Sequence, residues 1–129
     1  MSPVPIVDDL IWAFEGEPTP RHPARFARDG TPVTWRDDWP YTAVTFLLQR
    51  GSDGASFYIE PGYEIVRIRI QRDATELVDL DLGGVRTVSV ERIHHRELLH
   101  VEFRDPNIGT LFLRTRPDFS VGWSVGRLQ

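Results

Sequence analysis

The chain contains no cysteine and no lysine, and none of its apolar runs is long. Without cysteine it can form no disulfide framework, no thiolate nucleophile and no thiolate metal site. A membrane-spanning helix needs about 20 mostly apolar residues, so we predict no association with a membrane. The first ten residues have no basic region ahead of an apolar core, which predicts no secretory signal and a cytoplasmic location.

Because lysine is absent, all fifteen basic residues are arginines. Two explanations are open. A GC-rich genome favours arginine codons, and selection for bidentate contacts to carboxylates or phosphates favours the arginine side chain. The arginines are scattered along the whole chain, which favours the codon explanation. The net charge of −4 argues against nucleic acid as a partner and is compatible with a basic protein partner.

The sequence also lacks the common catalytic motifs, namely the nucleophile elbow, the P-loop, the dinucleotide fingerprint and His-Glu-x-x-His. Asp79 and Asp81 would share one strand face about 6.5–7 Å apart. That spacing suits an acid/base pair acting through water, but Arg67 and Arg69 would equally neutralise the two carboxylates across a sheet. We predict no catalytic residue, no cofactor and no enzymatic activity.

Three histidines, His94, His95 and His100, lie within seven residues, with Glu97 between them and Glu102 two residues after His100. Two histidines and a carboxylate can hold zinc. Adjacent residues on a strand point to opposite faces, however, so His94 and His95 cannot both reach one ion from an extended chain. We expect them in a polar turn between two strands and predict that no metal is bound.

What the sequence does contain, from Tyr41 onward, is alternation of apolar and polar residues. In Tyr63–Gln71, isoleucine and arginine alternate, which is typical of a strand with one buried face. From Tyr41 onward the sequence predicts seven or eight strands in all, at intervals of about ten residues, which is too close for the crossovers that parallel pairing needs. We predict a single mainly β domain (1–129) whose antiparallel core (41–126) closes as a sandwich, roll or partial barrel. Gly83-Gly84 predicts a hairpin turn.

The strand patterns also predict the core. Its expected members are Phe46, Leu48, Val66, Ile68, Ile70, Leu80, Val88, Val101, Phe103, Leu111, Val121 and Trp123, and Trp12 is expected to be buried as well.

Residues 1–40 differ from the rest because they hold seven of the ten prolines. Proline cannot donate to a strand ladder, so this Pro-rich arm cannot be central sheet. Within it, Ile6–Phe14 is the candidate for a short helix, with Leu10, Ile11 and Phe14 on its apolar face and Ile6 or Val7 extending that face.

The segment WRDDWPY, which joins the arm to the first long strand, is the candidate binding surface. Thr31–Arg36 is expected to form a short edge strand, followed by a loop. Tryptophan is enriched at binding hot spots, and acidic side chains would steer a basic partner. We therefore predict partner-binding roles for Trp35, Asp37, Asp38 and Trp39. The alternative is that one or both indoles plug the end of the sheet as core.

The order of several features along the chain resembles a known class. Trp39-Pro40 opens a strand that ends in Gln49-Arg50, Gly84-Val85 follows, and LFLRTRPDFSVGWSV runs from Leu111 to Val125. This order resembles the small, mostly β immunity proteins of bacterial polymorphic-toxin systems. The resemblance implies a non-enzymatic protein that binds and blocks a cognate toxin. A small-molecule-binding β barrel or roll with an apolar cavity is the alternative, and the sequence leaves a homo-oligomer open.

Overall fold

The structure is a computed structural model that describes residues 1–22 and 25–124. It confirms the predicted fold class, because the chain is mostly strand, the sheets are antiparallel, and they are open rather than closed as a barrel. The predicted last strand reached Val125, which lies outside the described residues. No helix in the described part of the chain is long and apolar enough to cross a membrane.

The strands have the following bounds: β1 (Thr19–Pro20), β2 (Arg25–Phe26), β3 (Pro32–Val33), β4 (Val44–Arg50), β5 (Asp53–Glu60), β6 (Ile65–Arg72), β7 (Thr75–Leu82), β8 (Val85–Ile93), β9 (Arg96–Phe103), β10 (Thr110–Arg116) and β11 (Ser120–Ser124). The helices are α1 (Val7–Ala13), α2 (Trp35–Asp38) and a 3-10 turn at Pro61–Tyr63.

These strands form two large sheets around one core. A five-stranded sheet has the order β1-β4-β5-β6-β7, a four-stranded sheet has the order β11-β10-β9-β8, and β2 and β3 form a ribbon in the arm. The registers align the inward side chains, so that Phe46, Phe57, Ile68 and Leu80 make one row across four neighbouring strands. Inward residues of both sheets belong to the same cluster of buried side chains, which makes the fold a two-layer sandwich.

The Gly83-Gly84 hairpin prediction is wrong, because β7 and β8 belong to different sheets. The turn instead carries the chain from one layer to the other. It is tied to both sides of the sandwich, since the amide of Val85 donates to Glu64 and the amide of Arg104 donates to the carbonyl of Gly84, at 3.0 and 2.9 Å. Gly84 has φ +63°, a conformation that glycine adopts without steric cost.

The predicted core is confirmed on both sheets. The buried members of that set are Phe46, Leu48, Val66, Ile68, Ile70, Val88, Val101, Phe103 and Leu111, whereas Leu80 and Val121 are partly buried. Trp12 and Trp123 were predicted wrongly, because their side chains are 38% and 46% exposed. Trp123 lies on the edge strand β11, and its ring stacks on Phe103 with centroids 5.7 Å apart.

The predicted helix within Ile6–Phe14 is confirmed as α1. Leu10 and Phe14 are buried, and Ile11 packs partly against the core. Of the two residues predicted to extend this face, Val7 packs against the core, whereas Ile6 is the N-cap residue and is 67% exposed. The ring of Phe14 stacks on Phe46 and Phe57, with centroids 5.4 and 5.3 Å apart, and so docks the end of α1 on the five-stranded sheet.

Candidate partner-binding groove

An open groove of about 840 Å³ lies between the arm and the end of the five-stranded sheet where β4 begins. We call it the arm groove. The lining residues that matter for its chemistry are Arg25, Trp35, Asp38, Tyr41, Glu60 and Tyr63. Two of the four residues predicted to bind a partner, Trp35 and Asp38, therefore face this groove, whereas Asp37 and Trp39 do not line it.

The edge strand predicted for Thr31–Arg36 is wrong beyond Val33, and the expected loop is a short helix. The carboxylate of Asp37 accepts hydrogen bonds from the backbone N–H and the hydroxyl of Thr34, at 2.9 and 3.1 Å. A threonine followed three residues later by an acidic residue is a start signal for a helix, and this signal was present in the sequence. The resulting turn places Trp35 and Asp38 three residues apart on one side of α2.

The two tryptophans hold the helix against the body of the protein. Trp35 is half-buried and meets Trp39 edge to face, with centroids 6.3 Å apart. The indole N–H of Trp39 donates to the carbonyl of Pro5 at 3.1 Å, and its ring packs against the core. Trp39 thus anchors the arm, whereas Trp35 presents the remainder of its ring to the groove.

Both acidic side chains of this segment have partners within the protein. Asp37 caps α2, and the guanidinium of Arg25 donates two hydrogen bonds to Asp38, at 3.1 and 2.5 Å. These hydrogen bonds lower the pKa of Asp38 below its ordinary value. Asp38 is therefore ionised at neutral pH, but Arg25 largely balances its charge, so it steers a partner less than an unpaired carboxylate would.

Acid titration tests this pairing. Because the folded pKa of Asp38 is depressed, the stabilising contribution of the pair is present above the ordinary pKa of 3.8 and is lost as the pH falls through the lower folded value. We expect the carboxyl carbon of Asp38, followed by NMR, to titrate below pH 3.8 in the native chain. In the Arg25→Gln variant the midpoint should return towards 3.8, and equal midpoints in the two proteins would contradict the pairing.

Tyr41 and Tyr63 are the most exposed aromatic side chains of the groove, at 87% and 75%. Sequence reasoning assigned no binding role to Tyr63. The sequence contained a signal, because Tyr63 stands at the same alternate positions as Ile65 and Arg67. Those positions predict a side chain on the outward face of the sheet. Large aromatic rings held outside the core with little internal contact are typical anchors of protein interfaces.

His94, His95 and His100 do not converge on one metal position. His94 and His95 lie in the turn between β8 and β9, as expected. His100 is on β9, where its ring contacts Glu91 and meets Phe112 edge to face. Within residues 1–22 and 25–124, no three His, Asp or Glu side chains converge as a metal ion would require. The absence of bound metal stays a prediction that elemental analysis can check.

Of the two interpretations of Asp79 and Asp81, the structure supports neutralisation by arginine rather than an acid/base pair. Arg67 donates two hydrogen bonds to Asp79, at 3.1 and 3.0 Å, and lies 3.1 Å from Asp81. Arg69 approaches Asp79 at 3.5 Å. Asp79 and Asp81 therefore form cross-strand ion pairs on an exposed face of the sheet.

The fold and groove define a two-layer antiparallel β protein with an aromatic-lined surface at one end. No protein-family model and no curated protein matches the sequence. Among solved structures, the chain is similar to a chain of the contact-dependent growth inhibition toxin–immunity protein complex from Klebsiella pneumoniae 342. The TM-score is 0.67 at 16% identity, over 91% of this chain and 90% of that chain. At this identity the likeness is one of fold.

Proposed function

We propose that the chain is an immunity-type inhibitor, a non-enzymatic protein that binds a cognate toxin in the cytoplasm and neutralises it. The observation that carries the proposal is the likeness of fold to a chain of a toxin–immunity protein complex, which extends over nearly the whole of both chains. The resemblance of residues 39–125 to immunity proteins points to the same class from the sequence.

The arm groove is the proposed binding surface. Tyr41, Tyr63 and the open part of Trp35 would supply rigid apolar contact area, which costs little conformational entropy to order. Asp38 and Arg25 would form a polar rim beside them. Asp37 and Trp39 would contribute indirectly by holding α2 in place. Asp37 caps the helix, and the indole of Trp39 hydrogen-bonds to the carbonyl of Pro5.

The proposed partner is a protein, and we expect a basic toxin domain rather than nucleic acid, since the chain has a net charge of −4. The direct test mixes the purified chain with its candidate toxin domain, identified among the products of the genes that adjoin its own. A stable stoichiometric complex on size-exclusion chromatography is expected. Failure of the two folded proteins to associate would contradict the proposal.

Removing the acids should slow association. In the paired variant Asp37→Asn with Asp38→Asn, the on-rate for the toxin domain should fall by about tenfold or less, and its dependence on salt should flatten, because electrostatic steering is weakened. Stopped-flow or surface kinetics measure both quantities. Thermal melts must accompany them, because the same change removes the cap of α2 and the bond to Arg25.

The matched control is Asp79→Asn with Asp81→Asn. This pair removes the same charge and also breaks arginine contacts, but it lies on β7 and does not line the groove. A fall in on-rate of equal size in both variants would indicate a general charge effect. An unchanged on-rate in the folded groove variant would exclude Asp37 and Asp38 from the interface.

A further inference from the structure

At the far end of β4 from the arm groove, the inner faces of the strands change from apolar to charged residues. β4 has seven residues, so the two ends are about 20 Å apart by strand rise. Arg50 occupies the inward position that follows Leu48 on β4. In the opposite sheet, Arg92, Glu97 and Arg116 form a cross-strand row on β8, β9 and β10.

Part of this charge is matched internally. Glu97, only 3% exposed, accepts a hydrogen bond from the Thr115 hydroxyl and lies 3.2 Å from Arg116 Nε. Arg50 donates to Glu15 at 2.5 Å and to the Thr115 carbonyl, and Arg116 lies 3.3 Å from Glu15. The hydrogen bond from Arg50 lowers the pKa of Glu15, so Glu15 is an ionised partner of Arg50 and Arg116 at neutral pH.

The rest of the charge is not matched. Within the described part of the chain, every arginine forms an ion pair except Arg28, Arg92 and Arg96. Two of these three line the same open pocket of about 590 Å³, together with His94 and His95. Four arginines and two glutamates line this pocket, so its charge is +2 with neutral histidines, in a chain whose net charge is −4.

We propose that this pocket binds an oxyanion carrying two or more negative charges, such as a phosphate or a dicarboxylate. The planar guanidinium groups of Arg92 and Arg96 suit bidentate contacts to such an ion, and His94 and His95 add ring donors at the rim. The ion pairs of Arg50 and Arg116 with the two glutamates fix the other charged side chains of the pocket. The positive excess disfavours a metal cation.

An apolar or stacking ligand fits less well. Trp12, the large aromatic residue of the pocket, is already covered by the guanidinium of Arg92, which lies directly over its ring. The face that a planar apolar ligand would use is therefore occupied. This proposal needs no toxin partner, so it stands or falls separately from the proposed function.

Calorimetric titration of the purified chain at low salt tests the site, with inorganic phosphate in one arm and succinate in the other. Saturable binding of one equivalent is expected in at least one arm, and the responding arm identifies phosphate or carboxylate as the preferred group. In the variant Arg92→Gln with Arg96→Gln, the dissociation constant should rise about tenfold or more, because charge-assisted hydrogen bonds are lost.

Two further variants keep the test decisive. Arg28→Gln removes the third unpaired arginine, which is exposed in the arm and does not line the pocket, and it should bind like the native chain. Arg96→Gln alone leaves the contact between Arg92 and Trp12 intact and should still weaken binding. No saturable binding of either ion to the native chain, or equal affinities in the native chain and the folded double variant, would overturn the proposal.

Discussion

Replacing Phe14 by alanine should lower the free energy of unfolding by about 3–5 kcal/mol. Phe14 is 1% exposed, and its ring stacks on both Phe46 and Phe57. Truncation would remove the buried ring and leave a cavity between the end of α1 and the five-stranded sheet. Urea unfolding, followed by tryptophan fluorescence, measures the difference.

The control for this prediction is Ile6→Ala at the start of the same helix. Ile6 is 67% exposed, so its truncation should change the free energy of unfolding by less than about 0.5 kcal/mol. Equal effects of the two substitutions would mean that α1 is not docked through Phe14.

Replacing both Tyr41 and Tyr63 by alanine should raise the dissociation constant for the toxin domain by about 30-fold or more, the size expected when an interface hot spot is removed. Both rings are largely exposed in the free chain, so the melting temperature should stay unchanged. Trp35→Ala is a less clean probe, because Trp35 packs against Trp39 and its loss also costs stability. Calorimetry and thermal melts on the same samples separate the two effects.

Leu77→Ala is the matched control for the tyrosines. Leu77 is an apolar residue on β7 that is 53% exposed and does not line the groove. Its truncation should leave binding unchanged. If Leu77→Ala weakened binding while the tyrosine variant bound normally, the interface would lie on the β7 side of the sandwich.

The strands and their buried faces could be predicted from the sequence, because a sheet with one covered face imposes alternation on each strand. This is why Ile68 on β6 and Val101 on β9 were assigned correctly to the core. The Gly83-Gly84 turn shows the limit of this reasoning. The two glycines indicate that the chain turns at this point. Which sheet the next strand joins depends on contacts with distant parts of the chain.

The candidate sites depend still more on distant contacts. The segment around Trp35 could be found from its composition, and the helix start at Thr34 was readable in the sequence. The pairing of Asp38 with Arg25 and the position of Tyr63 beside them could not be read, because the fold brings together three separate parts of the chain. The oxyanion pocket likewise draws Arg50, Arg92 and other residues from two sheets.

Growth protection tests the central claim most directly. Cells that produce the toxin domain identified in the binding test are compared with and without the native chain, the double variant Tyr41→Ala with Tyr63→Ala, and Leu77→Ala, all at equal soluble levels. We expect the native chain and Leu77→Ala to restore growth and the tyrosine variant to fail. Continued growth arrest in the presence of the folded native chain would contradict the assignment of this protein as an immunity-type inhibitor.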